Sequence, residues 1–382
     1  MTLKLRLVII VLMAQITLSY AQHKPEIHVG GALRFNYNLS SWKDGQKTRG
    51  GDFGYDVFRV NAKAAYKGVK LNAEYRLYST GFGGGMLKQG WVGYDFSPEN
   101  NLQIGLTQVP FGITQYNSHN WFFGINYYVG LEDDHDMGVK YTHNGDEWFY
   151  ALAFFKNAEE LNFGSNSDVS DSRYSYDVSS SVDGLYRNKE VNTFNGKLAR
   201  KFTGSNSNHM LGVSAQYGGI YNLDTEETGD HYALAVHYEL TAGNFNLKVQ
   251  ATKYDYNTKN PEGQSNDMIA MTAYGYPYMV AAEATTYTVG PAYSVPVEWG
   301  PISNLQFYND FGFMDKANDD FEDSFMNVTG VLVTAGQVYT YVDLAQGKDH
   351  PWVGPVWTDA LSSGTPDAEW ETRFNINIGY YF

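Results

Sequence analysis

The sequence contains no cysteine, which excludes disulfide bridges and thiol chemistry. It is also poor in positive charge: 27 Lys and Arg stand against 42 Asp and Glu, and this acidic balance argues against nucleic-acid binding. After residue 21 no apolar stretch is long enough for a membrane-spanning helix. A small disulfide-stapled module, a nucleic-acid-binding protein and a helical membrane protein are therefore the classes that the sequence argues against.

The first 21 residues have the three parts of a secretory signal peptide. Lys4 and Arg6 give a charged start, and residues 7–18 form an apolar run that is short for a membrane-spanning helix. Residues 19–21 (Ser-Tyr-Ala) place small side chains at the two positions that a signal peptidase reads. We therefore expect export of the chain and cleavage near Ala21.

Tyrosine, phenylalanine and glycine are abundant, with 31, 22 and 39 residues, and this composition favours strands over helices. The end of the chain shows the pattern most clearly. Apolar side chains occupy alternate positions from Trp370 to Phe382, interrupted only by Thr372, and mostly polar side chains lie between them. A period of two indicates a strand with one apolar and one polar face. In a water-soluble sheet the apolar face would cover a core, whereas in an outer-membrane barrel it would face lipid.

The same alternation recurs along the whole chain and predicts about 16 strands and no helical segment. The least regular part is 326–345, where Ala335-Gly336 must form a turn to keep the strand count even. Short turns alternate with long loops, and the predicted long loops are 40–52, 79–87, 109–135, 157–191, 222–230, 257–284, 315–325 and 346–366. Short turns at one end and long loops at the other are typical of an outer-membrane barrel. We therefore predict an all-β fold in which residues 22–382 form one closed antiparallel up-and-down transmembrane β-barrel.

Three segments resemble a known family of Gram-negative outer-membrane porins, the phosphate-selective porin O and P family. Residues 104–112 (Ile-Gly-Leu-Thr-Gln-Val-Pro-Phe-Gly) resemble its G-Q-x-x-x-P-F-G stretch. Residues 136–139 (Asp-Met-Gly-Val) resemble its Arg-Asp-x-Gly-Val strand start, with His135 in place of the arginine, and residues 153–157 resemble the close of its next hairpin. The resemblance implies a sixteen-stranded diffusion porin of a family whose members often assemble as homotrimers.

The third long loop departs from that family. Its members are thought to select anions with arginines and lysines on the inner wall and on an infolded third loop, but no Lys or Arg lies between Lys88 and Lys140 here. Phosphate selectivity is therefore not carried over. We expect loop 109–135 to fold into the lumen and narrow it, because long loops usually serve a function; the alternative is an external loop packed on its neighbours. The candidate constriction residues are Gln115, Tyr116, Asn117, His119, Asn120 and Trp121.

If the apolar parity of each strand faces lipid, the opposite parity faces the lumen. The basic residues of that parity are the candidate pore-lining residues: Arg34, Arg59, Lys63, Lys70, Arg76, Lys140, Lys197, Lys248 and Arg373. Acidic residues on the same parity are fewer, and most acid lies in the loops. This distribution predicts a weak anion preference, partly offset by an acidic mouth. The alternative is that these wall charges only pair with one another across strands.

No other segment of the sequence predicts a catalytic or metal-binding site. Residues 133–136 (Asp-Asp-His-Asp) are of types that bind cations, but a solvated acidic loop end is the favoured interpretation, and no metal site is predicted. His28, His231 and His237 lie on the luminal parity without a serine–acid grouping, so no catalytic residue and no cofactor is predicted. We expect a non-enzymatic outer-membrane porin for passive diffusion of small hydrophilic solutes or anions, surrounded by outer-membrane lipid. An outer-membrane barrel hydrolase and a secreted β-rich adhesin are the alternatives.

Overall fold

A computed structural model describes residues 25–159 and 173–382. The predicted signal peptide, its cleavage near Ala21 and the middle of loop 157–191 lie outside the described residues. Sixteen of the described strands form one closed barrel in which every neighbouring pair is antiparallel. The prediction of an all-β, closed, up-and-down antiparallel barrel is therefore confirmed.

The barrel strands follow chain order around the wall, and the first strand pairs with the last to close it. They are β1 (Glu26–Ser40), β2 (Asp52–Tyr66), β3 (Val69–Leu77), β4 (Gly85–Ser97), β5 (Asn100–Gln108), β6 (His135–Asn144), β7 (Trp148–Ala158), β9 (Asn188–Thr203), β10 (Ser207–Asn222), β11 (Thr228–Ala242), β12 (Phe245–Asn257), β15 (Glu283–Trp299), β16 (Ile302–Lys316), β17 (Ser324–Ala335), β18 (Val338–Lys348) and β19 (Glu371–Tyr381). Three short strands in the long loops form a separate sheet in the order β14-β13-β8: β8 (Asp177–Val178), β13 (Met268–Thr272) and β14 (Tyr278–Ala281).

The least regular part of the sequence forms the predicted hairpin. Ala335 pairs with Val338, so β17 and β18 are joined by a tight turn. Gly336 has a φ of 61°, in the left-handed region that glycine enters at little steric cost. This turn keeps the number of barrel strands even and places the two chain ends of the barrel at the same end as the short turns.

The outer face of the barrel is apolar along alternate positions of each strand. Val29 is 69% exposed, Leu152 is 63% exposed and Phe194 is 60% exposed, while the sequence neighbours of Leu152 and Phe194 are buried. Leaving such a side chain in water rather than in an apolar environment costs about 1.5–3 kcal/mol, so a belt of them requires an apolar surrounding. The period-two alternation of the sequence thus becomes an apolar outside and a polar inside.

The expectation of loops without helical segments is wrong. The first long loop contains helix α1 (Asp44–Arg49), and 3-10 helices form at Thr80–Phe82 and Ile125–Val129. Helix α1 has only six residues, too few for a period of 3.6 to be visible; it ends at Gly50, whose φ is 75°. Among the described residues, no helix is long and apolar enough to cross a membrane.

The long loops pack together and against the inward faces of the strands. Tyr127 from the third loop, Tyr176 from the fourth and Tyr278 from the sixth belong to one buried apolar cluster, which also includes the strand residues Ala235 and Met314. The ring centroids of Tyr176 and Tyr278 are 4.9 Å apart. Protein side chains therefore fill much of the barrel interior toward the long-loop end.

Candidate functional site

The third loop, residues 109–134, leaves β5 and returns at β6, yet its polar groups contact strands that are not adjacent to either of them. The amide of Ile113 donates to Gln250 Oε1 of β12 over 2.8 Å, and the amide of Gly112 donates to Ser214 Oγ of β10 over 3.1 Å. Lys248 Nζ, also on β12, donates to the carbonyl oxygen of Tyr116 over 2.8 Å. The loop therefore contacts inward-facing side chains of strands that are not its neighbours.

Asp310 on β16 holds the middle of this loop. Its Oδ2 accepts from the amides of His119 (2.8 Å) and Asn120 (3.0 Å) and from Asn120 Nδ2 (2.8 Å). Its Oδ1 lies 2.9 Å from His119 Nδ1. A carboxylate that accepts several hydrogen bonds is a strong anchor, because hydrogen bonds to a charged group are each worth about 1.5–3 kcal/mol.

Glu132 closes the same loop on itself. Its Oε1 accepts from the amide of Asn117 (3.0 Å) and from Ser118 Oγ (3.1 Å), and its Oε2 accepts from the amide of Gly124 (3.0 Å). Burial raises the pKa of Glu132 to about 7, although the amides of Gly124 and Asn117 favour its charged form. The return segment of the loop is thereby fixed to the segment that carries the candidate constriction residues.

The predicted pore-lining residues fall into distinct groups. In the first group, Lys140 Nζ donates to the carbonyl oxygen of Gln108 (2.6 Å), Lys197 Nζ donates to Thr114 Oγ1 (2.8 Å), and Lys248 donates to Tyr116 as described. All three lysines hold the third loop or its start. We call Lys140, Lys197, Lys248 and Asp310 the loop-bound wall.

The second group lies on β1, β2 and β3 and is bound to carboxylates. Arg34 Nε lies 2.9 Å from Asp56, while Arg59 (3.3 Å) and Arg76 (2.7 Å) share the single carboxylate of Glu74. Lys63 is exposed and forms no ion pair with a described residue. We call Arg34, Arg59, Lys63 and Arg76 the arginine wall; because two guanidinium groups share one carboxylate, it keeps a positive excess.

Two predicted residues belong to neither wall. Lys70 forms an ion pair with Asp95 over 2.5 Å near a short turn, and both side chains are partly exposed. Arg373 donates to Asn38 Oδ1 (2.8 Å) and to the carbonyl oxygen of Trp352 (3.2 Å), so it fixes the last long loop to the strands. Arg373 therefore has the same kind of anchoring role as the lysines of the loop-bound wall.

The candidate constriction residues also differ in their contacts. Asn117 Nδ2 donates to Thr288 Oγ1 over 3.1 Å, and Asn120 is bound to Asp310, as is His119. The carbonyl oxygen of Gln115 accepts from Gln108 Nε2 over 3.0 Å. The rings of Trp121 and Phe122 meet edge to face at 5.0 Å. The ring of Tyr116 instead lies near β4, where Lys88 Nζ is 5.4 Å from the ring centre.

One buried ion pair was not predicted from the sequence. Lys88 Nζ lies 2.6 Å from Asp133 Oδ2, and the hydroxyl of Tyr174 donates to the same carboxylate over 2.7 Å. A β-bulge shifts the register between β3 and β4 at Lys88, since Glu74 pairs with Gln89 but Tyr75 pairs with Leu87. The alternation of apolar and polar positions in the sequence does not reveal such a shift in register. The interpretation of residues 133–136 as a solvated loop end is wrong, because all four are buried.

Solved structures with a similar fold include three kinds of outer-membrane protein. The outer-membrane channel DcaP of Acinetobacter baumannii matches with a TM-score of 0.59 and 10% identity over 94% of this chain and 97% of that one. The anion-selective porin of Comamonas acidovorans matches with a TM-score of 0.59 and 13% identity over 94% and 100%. The trimer form of in-vitro folded OmpT of Vibrio cholerae matches with a TM-score of 0.52 and 14% identity over 94% and 99%.

No protein-family model and no curated protein matches the chain. The resemblance to the phosphate-selective porin O and P family therefore stays a prediction. At 10% to 14% identity the structural likeness shows the fold alone. On that evidence the chain is a closed sixteen-stranded antiparallel barrel with the fold of outer-membrane porins.

Proposed function

We propose that this protein is an outer-membrane channel through which small hydrophilic solutes diffuse passively, with a weak preference for anions. The observation that carries the proposal is the contrast between an apolar outer face and a charged inner face on one closed barrel. The similar structures support it, since one is described as an outer-membrane channel and another as an anion-selective porin. A secreted adhesin would expose this apolar belt to water, which is unfavourable.

Loop 109–135 is the constriction in this proposal, and the passage runs beside the arginine wall. The side chains of Arg34 and Arg59 keep 14% and 20% of their surface exposed, although both are ion-paired. On the opposite side the loop-bound wall is covered by the third loop. The passage is therefore narrower than the barrel, and we expect a small single-channel conductance.

The weak anion preference follows from how the arginine wall is paired. Glu74 neutralises only one of the two guanidinium groups that contact it, and Lys63 adds a charge without an ion-pair partner among the described residues. A unit charge about 4 Å from a passing ion contributes about 1 to 4 kcal/mol, depending on how much water screens it. The excess is small, so we expect a bias among ions rather than strict selection.

Reversal potentials across a KCl gradient test this assignment on purified protein in planar bilayers. The Arg59→Ala/Lys63→Ala double variant should move the reversal potential toward cation preference, because it removes two positive charges from the wall. Arg200→Ala is the matched control, since Arg200 lies on the outer face of β9 beside Trp148. An unchanged reversal potential in the double variant would show that the arginine wall does not line the passage. A complete absence of stepwise currents would contradict the proposal that the protein is a channel.

We also propose that the protein assembles as a homotrimer in the outer membrane. The family resemblance implies this assembly, and one similar structure is described as a trimer form. Mass measurement of the detergent-solubilised complex by light scattering, with the detergent contribution subtracted, tests it. A monomeric mass would contradict the assembly and leave the channel proposal intact.

A further inference from the structure

Five buried carboxylates lie together where the third and fourth loops join the barrel. Asp134 ends the third loop, Asp136 lies in β6, Glu159 follows β7 and Asp177 belongs to β8. One carboxylate oxygen from each of these four lies within 4.8 Å of those from the other three. Glu190 on β9 is the fifth, and it interacts electrostatically with Asp134 and Asp177. All five are at most 8% exposed.

Asp136 is the member whose charge is not compensated. It is 3% exposed, and its Oδ1 has no hydrogen-bond partner within the described parts of the chain. Its carboxylate points into the group, where the nearest charges are other carboxylates: Asp134, Asp177 and Glu190. Burying an unpaired carboxylate costs several kcal/mol, so such a group is stable only when it is protonated or faces a positive group.

Other buried carboxylates of this barrel do have partners. Asp133 is bound by Lys88 and Tyr174, and Asp310 is bound by His119 and Asn120. Among the described residues, one guanidinium lies in this carboxylate cluster: Nη1 of Arg173 is 3.5 Å from Asp177. A single positive charge cannot balance these five carboxylates, and the guanidinium of Arg173 forms no ion pair with Asp136.

We propose that Asp134, Asp136, Glu159 and Asp177 bind one Ca²⁺ ion. Ca²⁺ takes six to eight oxygen ligands at about 2.3–2.6 Å, so oxygens on opposite sides of the ion lie about 5 Å apart, which agrees with the 4.8 Å limit within this group. The set contains only oxygen ligands, which favours a hard cation over a transition metal. Mg²⁺ requires a tighter octahedral shell at about 2.0–2.1 Å, usually keeps several waters and takes only one or two carboxylates, so a set of four carboxylates suits it less well.

The ion connects segments that are distant in sequence. Asp134 lies beside the return of the third loop, and Glu159 and Asp177 flank the described ends of the fourth. Glu159 also accepts from the amides of Tyr174 (2.9 Å) and Ser175 (3.1 Å), so it is already oriented by the fourth loop. Bound Ca²⁺ therefore fastens the fourth loop to the base of the third, and its removal should loosen both.

Terbium luminescence tests the site on the full-length protein, refolded in detergent without lipopolysaccharide and treated with a chelator. Tb³⁺ occupies Ca²⁺ sites, and excitation of nearby tyrosines such as Tyr174 and Tyr256 should sensitise its emission. We expect saturable emission that Ca²⁺ displaces at a concentration at least about tenfold lower than Mg²⁺ does. Failure of the folded wild-type protein to bind Tb³⁺ or Ca²⁺ would overturn the proposal.

Asp136→Asn is the decisive variant, because the neutral amide is close in size to the carboxylate and removes one ligand charge. It should weaken Ca²⁺ binding by at least about tenfold. Asp319→Asn is the matched control, since Asp319 is exposed in the loop between β16 and β17 and its loss should leave binding unchanged. If Asp136→Asn does not fold, Asp177→Asn provides the same comparison, and equal Ca²⁺ affinity in the control and the site variant would contradict the assignment.

Discussion

The loop-bound wall and the arginine wall lie on opposite sides of one barrel and carry side chains of the same strand parity, but they use their charges differently. Lys197 and Lys248 donate to a hydroxyl and to backbone carbonyls of the third loop. Arg34 and Arg59 are bound to carboxylates of neighbouring strands and remain partly exposed. Inward direction alone therefore does not make a basic residue part of the proposed passage.

This difference predicts two kinds of mutant. Loss of a group in the loop-bound wall leaves donors or acceptors of the third loop without partners, so it should change the width of the passage. Loss of a group in the arginine wall leaves the loop in place and changes the charge that a passing ion meets. Conductance and reversal potential measure these two effects separately.

Asp310→Ala should have the largest effect on conductance. It leaves the amides of His119 and Asn120 without their acceptor, and each buried group left unsatisfied costs about 1–3 kcal/mol. The middle of the third loop should then leave the wall for part of the time, giving a larger and noisier single-channel conductance. Asp315→Ala is the control, because Asp315 lies on the same strand, exposed on the opposite face. A conductance equal to that of the control would show that the third loop does not form the constriction.

Lys248→Met should have a smaller effect of the same kind. The substitution keeps the length of the side chain but removes the donor to the carbonyl oxygens of Tyr116 (2.8 Å) and Ser118 (3.1 Å), at a cost of about 1–3 kcal/mol. We expect a moderate rise in conductance with little change in reversal potential. Lys253→Met, on the outward parity of the same strand, is the control. A large shift in reversal potential with unchanged conductance would show that Lys248 lines the passage instead of holding the third loop.

The sequence predicts the barrel wall well, because a period of two is a property of each strand by itself. Alternation places Lys248 on the inner face without any knowledge of its neighbours. The contacts that divide the inner residues into two walls are not local: Lys248 meets a loop that precedes it by more than 100 residues. No periodicity records such a contact, so parity gives the direction of a side chain but not its partner.

The loop contacts are even harder to predict from the sequence, because they too join segments that are distant in the chain. Asp133 and Asp136 appear as part of a hydrophilic run, which the sequence places in solvent, and only the packing of the third and fourth loops buries them. Lys88 reaches Asp133 because of a β-bulge, and a one-residue shift of this kind reverses the face of every residue beyond it. The residue types at 133–136 suggest a cation site, but Asp177 of the carboxylate cluster comes from a separate loop.

Acidification should weaken the packing of the last long loop to an intermediate extent. Burial lowers the pKa of His350 to about 3, and the ring meets Tyr128 edge to face at 4.4 Å. The released loop would titrate near 6.5 and bind more protons than the packed loop between pH 6.5 and 3. The packing is therefore fully stable above pH 6.5 and loses about 1.4 kcal/mol for each pH unit below it.

Hydrogen exchange of residues 349–370 measures this loss. Exchange in the wild-type protein should accelerate as the pH falls from 7 to 5, after correction for the intrinsic pH dependence of amide exchange. His350→Gln carries no titrating ring, so its corrected exchange should vary less over the same interval. Equal pH dependence in the two proteins would assign the effect to other acidic groups of the loops.

Lys70→Met should have the smallest effect. Lys70 and Asp95 keep 44% and 24% of their side chains exposed, and an ion pair this accessible to water is worth about 0–1 kcal/mol. Thermal stability should hardly change, and the reversal potential should move less than in the Arg59→Ala/Lys63→Ala variant, because screening weakens a charge near the barrel mouth. Lys67→Met, in the adjacent turn, is the control. If Lys70→Met instead shifts the reversal potential as much as the double variant does, ions are selected near the short turns, and the arginine wall is not the narrowest charged part of the passage.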